Sequence, residues 1–108
     1  MLINTPISLG ELVDKISILI IKQKNITDET KLDHVKKELD FLQKTLMNYV
    51  QQEEINNFLE NLININSKLW NIEDDIRECE RKKLFDQSFI DLARSVYITN
   101  DERAKVKN

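Results

Sequence analysis

Glycine, proline, cysteine and histidine each occur once in the 108 residues. One Gly and one Pro leave few turn formers, and an all-β fold needs many, so the chain reads as helical. A lone cysteine, Cys79, forms no internal disulfide and fits a reducing compartment. A lone histidine, His34, leaves the serines and the cysteine without the base that a nucleophile needs. His34 and Glu38 have the i,i+4 spacing of a metal pair, but both fall on the solvent side of a helix with no second His or Cys. No metal and no other cofactor is expected. Gly10 stands alone, so there is no phosphate-cradling loop. The apolar stretch 9–21 is interrupted by Glu11, Asp14 and Lys15 and is too short to span a bilayer. The start of the chain lacks the basic region and cleavage site of a signal peptide, and the expected location is cytoplasmic.

What is present is a globular composition, 41% hydrophobic and 32% charged, enough for one domain over residues 1–108 with a modest core. A net charge of −3 argues against nucleic acid as a partner. The two basic clusters, Arg81-Lys82-Lys83 and Arg103, Lys105, Lys107, sit beside acids and read as helix ends, where cations complement the dipole.

Ser8 and Glu11 form an S-x-x-E capping box that starts a helix running to about Lys24. Its stripe is Leu9, Leu12, Val13, Ile16, Leu19 and Ile20, while Ile18 and Ile21 lie on another side. A helix apolar on two faces is either central in its fold or buried in an oligomer. Residues 25–28 read as a turn with Thr27 or Asp28 as the next cap. A second helix over about 29–50 has the seam Leu32, Val35, Leu39, Leu42, Leu46 and Tyr49, with Phe41 on its exposed side. The phase is lost at 51–54, which reads as a turn or as a bend in one continuous helix.

The third helix, about 54–83, carries a heptad seam: Ile55, Phe58, Leu62, Ile65, Leu69, Ile72, Ile76 and Cys79. Asn66, Glu73 and Glu80 fall inside its apolar arc and Arg77 at the edge. Buried carboxylates need partners, and this cluster reads as a register-fixing ion pair or as a polar pocket between helices. Asp86 caps a fourth helix to about Ile98, and Thr99 with Glu102 forms a second capping box that starts a fifth. Arg94, Tyr97, Asn100, Asp101 and Arg103 gather around that junction, as caps and ion pairs or as an anion or sugar site.

Two enzyme patterns fail on their residues. Asp75-x-x-Glu78 with Glu11-x-x-Asp14 mimics the magnesium ligands of all-α nucleotide pyrophosphohydrolases, but Asp75 and Glu78 point away from the seam and Glu11 is a cap. Helical chorismate mutase begins with a similar L-x-x-x-I-x-x-x-L run, but its chemistry needs several Arg or Lys side chains converging on a dicarboxylate, and the first helix here carries Lys15, Lys22 and Lys24 on its polar sides and no Arg.

Three segments, Pro6–Ile16 (PISLGELVDKI), Leu69–Arg77 (LWNIEDDIR) and Ala93–Tyr97 (ARSVY) continuing through Asn100-Asp101-Glu102-Arg103, resemble an uncharacterised family of small all-helical bacterial proteins, a domain of unknown function. The resemblance implies no known activity. It implies proteins sometimes encoded near glycosyltransferase and surface-polysaccharide genes, and relatives that continue past the position of Asn108. The polar residues of these segments are Asp14, Lys15, Glu73, Asp74, Arg77, Arg94, Tyr97, Asn100, Asp101 and Arg103, and a ligand site would draw on them. Asp14 and Lys15 are expected to meet Glu73 and Arg77, with the 98–103 junction closing one end.

The expected fold is all-α: a three-helix antiparallel bundle or hairpin core with two short C-terminal helices. The expected function is that of a non-enzymatic module that forms a homo-oligomer, a dimer, and binds a protein partner, motivated by Ile18, Ile21 and Phe41. The alternative is a small-molecule protein or enzyme that takes a nucleotide or sugar phosphate in an acidic/Arg cluster.

Overall fold

A computed structural model of the chain describes residue 3 and residues 5–108; the leader reading above includes Met1, Leu2 and Asn4, which lie outside the described residues. The described residues are all-helical: α1 (Leu9–Asn25), α2 (Glu29–Met47), α3 (Gln52–Lys82) and α4 (Gln87–Lys107). Side-chain caps open three of them. Ser8 accepts from the Glu11 N–H, Asp28 from the Lys31 N–H and Asp86 from the Phe89 N–H.

A turn over 48–51 separates α2 from α3, with the Val50 N–H bonded to the Leu46 carbonyl, so the two are separate helices rather than one continuous bent helix. Tyr49, placed in the second seam by its spacing, lies in this turn and is exposed. α3 ends on Lys83 in the left-handed region (φ 56°, ψ 40°). The Leu84 N–H reaches the Cys79 carbonyl and the Lys83 N–H reaches the Glu80 carbonyl, the Schellman pattern on a residue other than glycine.

The expected break between a fourth and a fifth helix is corrected. Residues 87–107 form one helix, and Thr99 is buried inside it. Phe89, Leu92, Val96, Thr99, Arg103 and Val106 follow one another at alternating spacings of three and four, and all are buried or half-buried. One packing face thus crosses the capping-box signal without a change of phase, and packing overrides a local cap that neither Gly nor Pro enforces.

α1 is the central element. α2 and α3 both pack along it, and α4 packs along α3 and touches α1 near its own C-terminus. The core joins Leu12, Val13, Ile16 and Leu19 of α1 to Val35, Leu39 and Leu46 of α2 and to Ile55 and Leu62 of α3. A second buried face of α1 is Gly10, Asp14, Ser17 and Ile21, spaced four, three, four. This is where the doubly apolar character of α1 is used: Ile21 is buried within the chain and Ile18 is half-buried, so these two supply no free oligomer face.

α3 has 31 residues. At about 1.5 Å per residue it sets the 48 Å long axis of the molecule. Its buried residues, Ile55, Leu62, Asn66 and Leu69, all lie in its first 18 positions. Beyond them Ile72, Ile76 and Cys79 are half-buried, and Glu73, Arg77 and Glu80 are exposed. The carboxylates expected in a buried seam therefore face solvent, because the seam outruns the shorter α1.

Gly10 sits where α4 ends. A Cβ built on it would lie 2.1 Å from the Lys107 carbonyl oxygen, so the two backbones approach more closely than any side chain allows. Gly10→Ala is expected to undock the last turn of α4, with a net loss of about 1 kcal/mol after the gain in helix propensity. Amide exchange at residues 104–108 should rise, and unchanged protection there would contradict the close approach.

A buried aspartate clamp and the cleft beside it

Asp14 is 3% exposed and is the meeting point of three helices. From α3, Asn66 Nδ2 donates to Asp14 Oδ1 at 2.9 Å and to Ser17 Oγ at 2.7 Å. From α4, Arg103 Nε donates to Oδ1 at 2.9 Å, and its Nη2 donates to Oδ2. Ser17 donates to the Asp14 carbonyl at 2.6 Å. Lys107 Nζ lies 3.7 Å from Asp14 Oδ2 and 3.0 Å from Glu11 Oε1. Glu11 thus turns its carboxylate to Lys107, and only the Ser8 half of the capping box is formed. Among the described residues no buried side-chain N or O lacks a partner.

Burial pushes the Asp14 carboxyl up, but the bonds from Arg103 and Asn66 and the charges of Arg103 and Lys107 outweigh it. They hold the group below its ordinary value. The same pairing raises Arg103, against its own desolvation.

A cleft of about 270 Å³ opens beside the clamp. Ile18, Ile21, Leu69 and Trp70 form its apolar side; Asn66, Asn100, Arg103, Glu73 and Lys22 form its polar side. Arg103 Nη1 also reaches Asn100 Oδ1 at 3.4 Å. A larger groove, of about 890 Å³, runs between the segment before α1 and α2, lined by Ile7, Leu9, Phe41, Leu42, Tyr49 and Val50 among others.

The residues singled out in the sequence separate into four places. Asp14, Glu73, Asn100 and Arg103 form the clamp or line the cleft. Lys15 points instead to Glu38 of α2, 3.9 Å away, and borders the larger groove. Arg77 pairs with Asp74 on the exposed side of α3. The expected meeting of Asp14 and Lys15 with Glu73 and Arg77 is thus replaced by Asp14 with Asn66 and Arg103: Lys15, next in sequence, leaves α1 about 100° away from Asp14. Arg94, Tyr97 and Asp101 are exposed on α4 and line neither concavity. Ser17, Lys22, Trp70 and Lys107 were not singled out. A small polar Ser17 three residues after Asp14 in a buried stripe was a usable signal; Lys107 was read only as part of a basic helix end.

No described helix is long and apolar enough to cross a membrane, and no described group of three or more His, Cys, Asp or Glu side chains is placed to hold a metal ion.

The helices and the clamp define a small all-α protein whose last helix is tied back to its first through a buried carboxylate. The chain belongs to the family of unknown function DUF6165, whose profile matches residues 3–108. Comparison with curated proteins and with solved structures returns no match.

Loss of the Arg103 guanidinium leaves a buried carboxylate short of its main partner. Arg103→Met is expected to cost about 3 kcal/mol at pH 7 by denaturant unfolding. The native Asp14 value lies below the unfolded one, near 3.9, so the clamp's contribution is complete above about pH 5 and disappears as pH falls through the lowered native value. The gap between wild type and Arg103→Met should therefore close in acid; a gap that stays constant down to pH 2 would contradict the assignment.

Proposed function

We propose that this protein is a non-enzymatic helical interaction module that associates with itself. The observation that carries the reading is surface. The chain exposes 7922 Å², whereas a compact monomer of 12.8 kDa exposes about 6,300 Å². The excess, about 1,600 Å² on one chain, is about twice the roughly 800 Å² that each partner buries in a standard stable interface. The radius of gyration, 15.9 Å, likewise exceeds the roughly 13 Å of a compact chain of this length. Much of the excess is apolar: Ile7, Phe41 and Tyr49 at the larger groove, and Leu84, Phe85, Ile90, Tyr97 and Ile98 at and along α4, are each about half exposed or more. Sedimentation equilibrium from micromolar to several hundred micromolar should show a mass rising from 12.8 kDa to twice that value. A constant monomer mass would end the reading.

The cleft favours a second reading, a site for a small polar molecule. Lys22 has no ion-pair partner among the described residues, and with Glu73 it places both signs of charge above an apolar floor that includes Trp70. A volume of about 270 Å³ suits a sugar phosphate better than a nucleotide sugar. Thermal unfolding with sugar phosphates and nucleotides at millimolar concentration tests it. A ligand at 100 times its dissociation constant adds about 2.7 kcal/mol, a shift of many degrees that Lys22→Met and Glu73→Gln should abolish. No shift across the set would leave the cleft as a by-product of the clamp.

A further inference from the structure

α4 has two faces, and only one is used within the chain. The used face runs through Phe89, Leu92, Val96, Thr99 and Arg103. Beside it, about 120° round the helix, Ile90, Ala93, Tyr97 and Ala104 form an exposed apolar strip. Ile90 and Tyr97 are 48% and 58% exposed. Along one flank of that strip stand Asp91, Arg94, Asp101 and Lys105, all exposed and without an ion-pair partner among the described residues. Their charges read minus, plus, minus, plus from the start of the helix to its end.

This pattern is self-complementary in one orientation. In a two-fold antiparallel pair of helices, each flank meets the same flank of the other copy, with the sequence reversed. With the axis between Tyr97 and Ile98, Arg94 faces the second copy's Asp101, and Asp91 comes beside its Lys105. The apolar strips then close on each other, and Ala93 and Ala104 let the backbones approach. In a parallel pair the charged flank of each copy would lie against the apolar flank of the other. Neither the clamp nor the cleft explains these eight side chains.

We infer that the outer face of α4 is the dimer interface, occupied by α4 of a second copy in antiparallel, two-fold arrangement. The inference rests on the self-association proposed above and names its surface. It also gives Arg94, Tyr97 and Asp101 a common role away from the cleft.

Charge reversal tests it, with mass measured by sedimentation equilibrium and helix content by circular dichroism. Arg94→Glu and Asp101→Arg alter only exposed positions and should keep the fold. Each alone should weaken the dimer at least tenfold, because a two-fold repeats every contact. The double variant restores both pairs and should return the dissociation constant to within about threefold of wild type. Weakened singles without rescue would overturn the antiparallel pairing. A wild-type dimer indifferent to both singles would overturn this interface while leaving self-association intact. A wild type that stays at 12.8 kDa would overturn both.

Discussion

The architecture depends on one carboxylate. Asp14 is nearly sealed from water, and a charge in that position persists only when fixed donors replace its hydration. Those donors come from α3 and α4, with Lys107 adding a second cation from the last turn of α4. Arg103 is 89 residues away in sequence. The pair ties α4 to α1, which α4 otherwise barely touches, and Gly10 clears the space in which that end of α4 comes to rest. The walls of the adjoining cleft, Asn66 and Arg103, are the same side chains that hold Asp14, so the cleft takes its shape from the clamp.

The mismatch of helix lengths explains the rest of the form. α1 has 17 residues and α3 has 31, so the shared core ends near Leu69 while α3 continues. Past that point α4 is the chief cover that α3 has, and α4 itself is covered on one face. A small chain built this way keeps a large surface relative to its mass. That surplus is the physical ground for the self-association proposed above.

Helix positions were legible because caps and apolar spacing are local properties. Ser8, Asp28 and Asp86 cap the helices they were expected to cap or to help cap, and the seam of α3 holds its phase from Ile55 to Cys79. Thr99 and Glu102 misled for the same reason: an S/T-x-x-E pattern is a cap only where the chain leaves the helix, and the packing face of α4 runs straight through. Glu73 and Glu80 misled differently. Periodicity assigns a face to a helix but does not say how far a neighbour extends to cover it.

By itself the amino-acid sequence determined that the chain is all-helical, where three of the four helices begin, and which stripes are apolar, because backbone propensity, capping and periodicity act within a few residues. It also carried Asn66 as an amide inside an apolar arc, and Asp14 and Arg103 among the polar residues of the segments that resemble the family. Only the tertiary structure decided their pairing. It sent Asp14 to Arg103 rather than to Glu73 and Arg77, joined the last two expected helices into one, and buried Ile21 inside the chain while leaving Tyr97 outside. Each of these is a contact between residues far apart in sequence, set by relative helix lengths and by the single place where three helices converge on a charge that has to be neutralised.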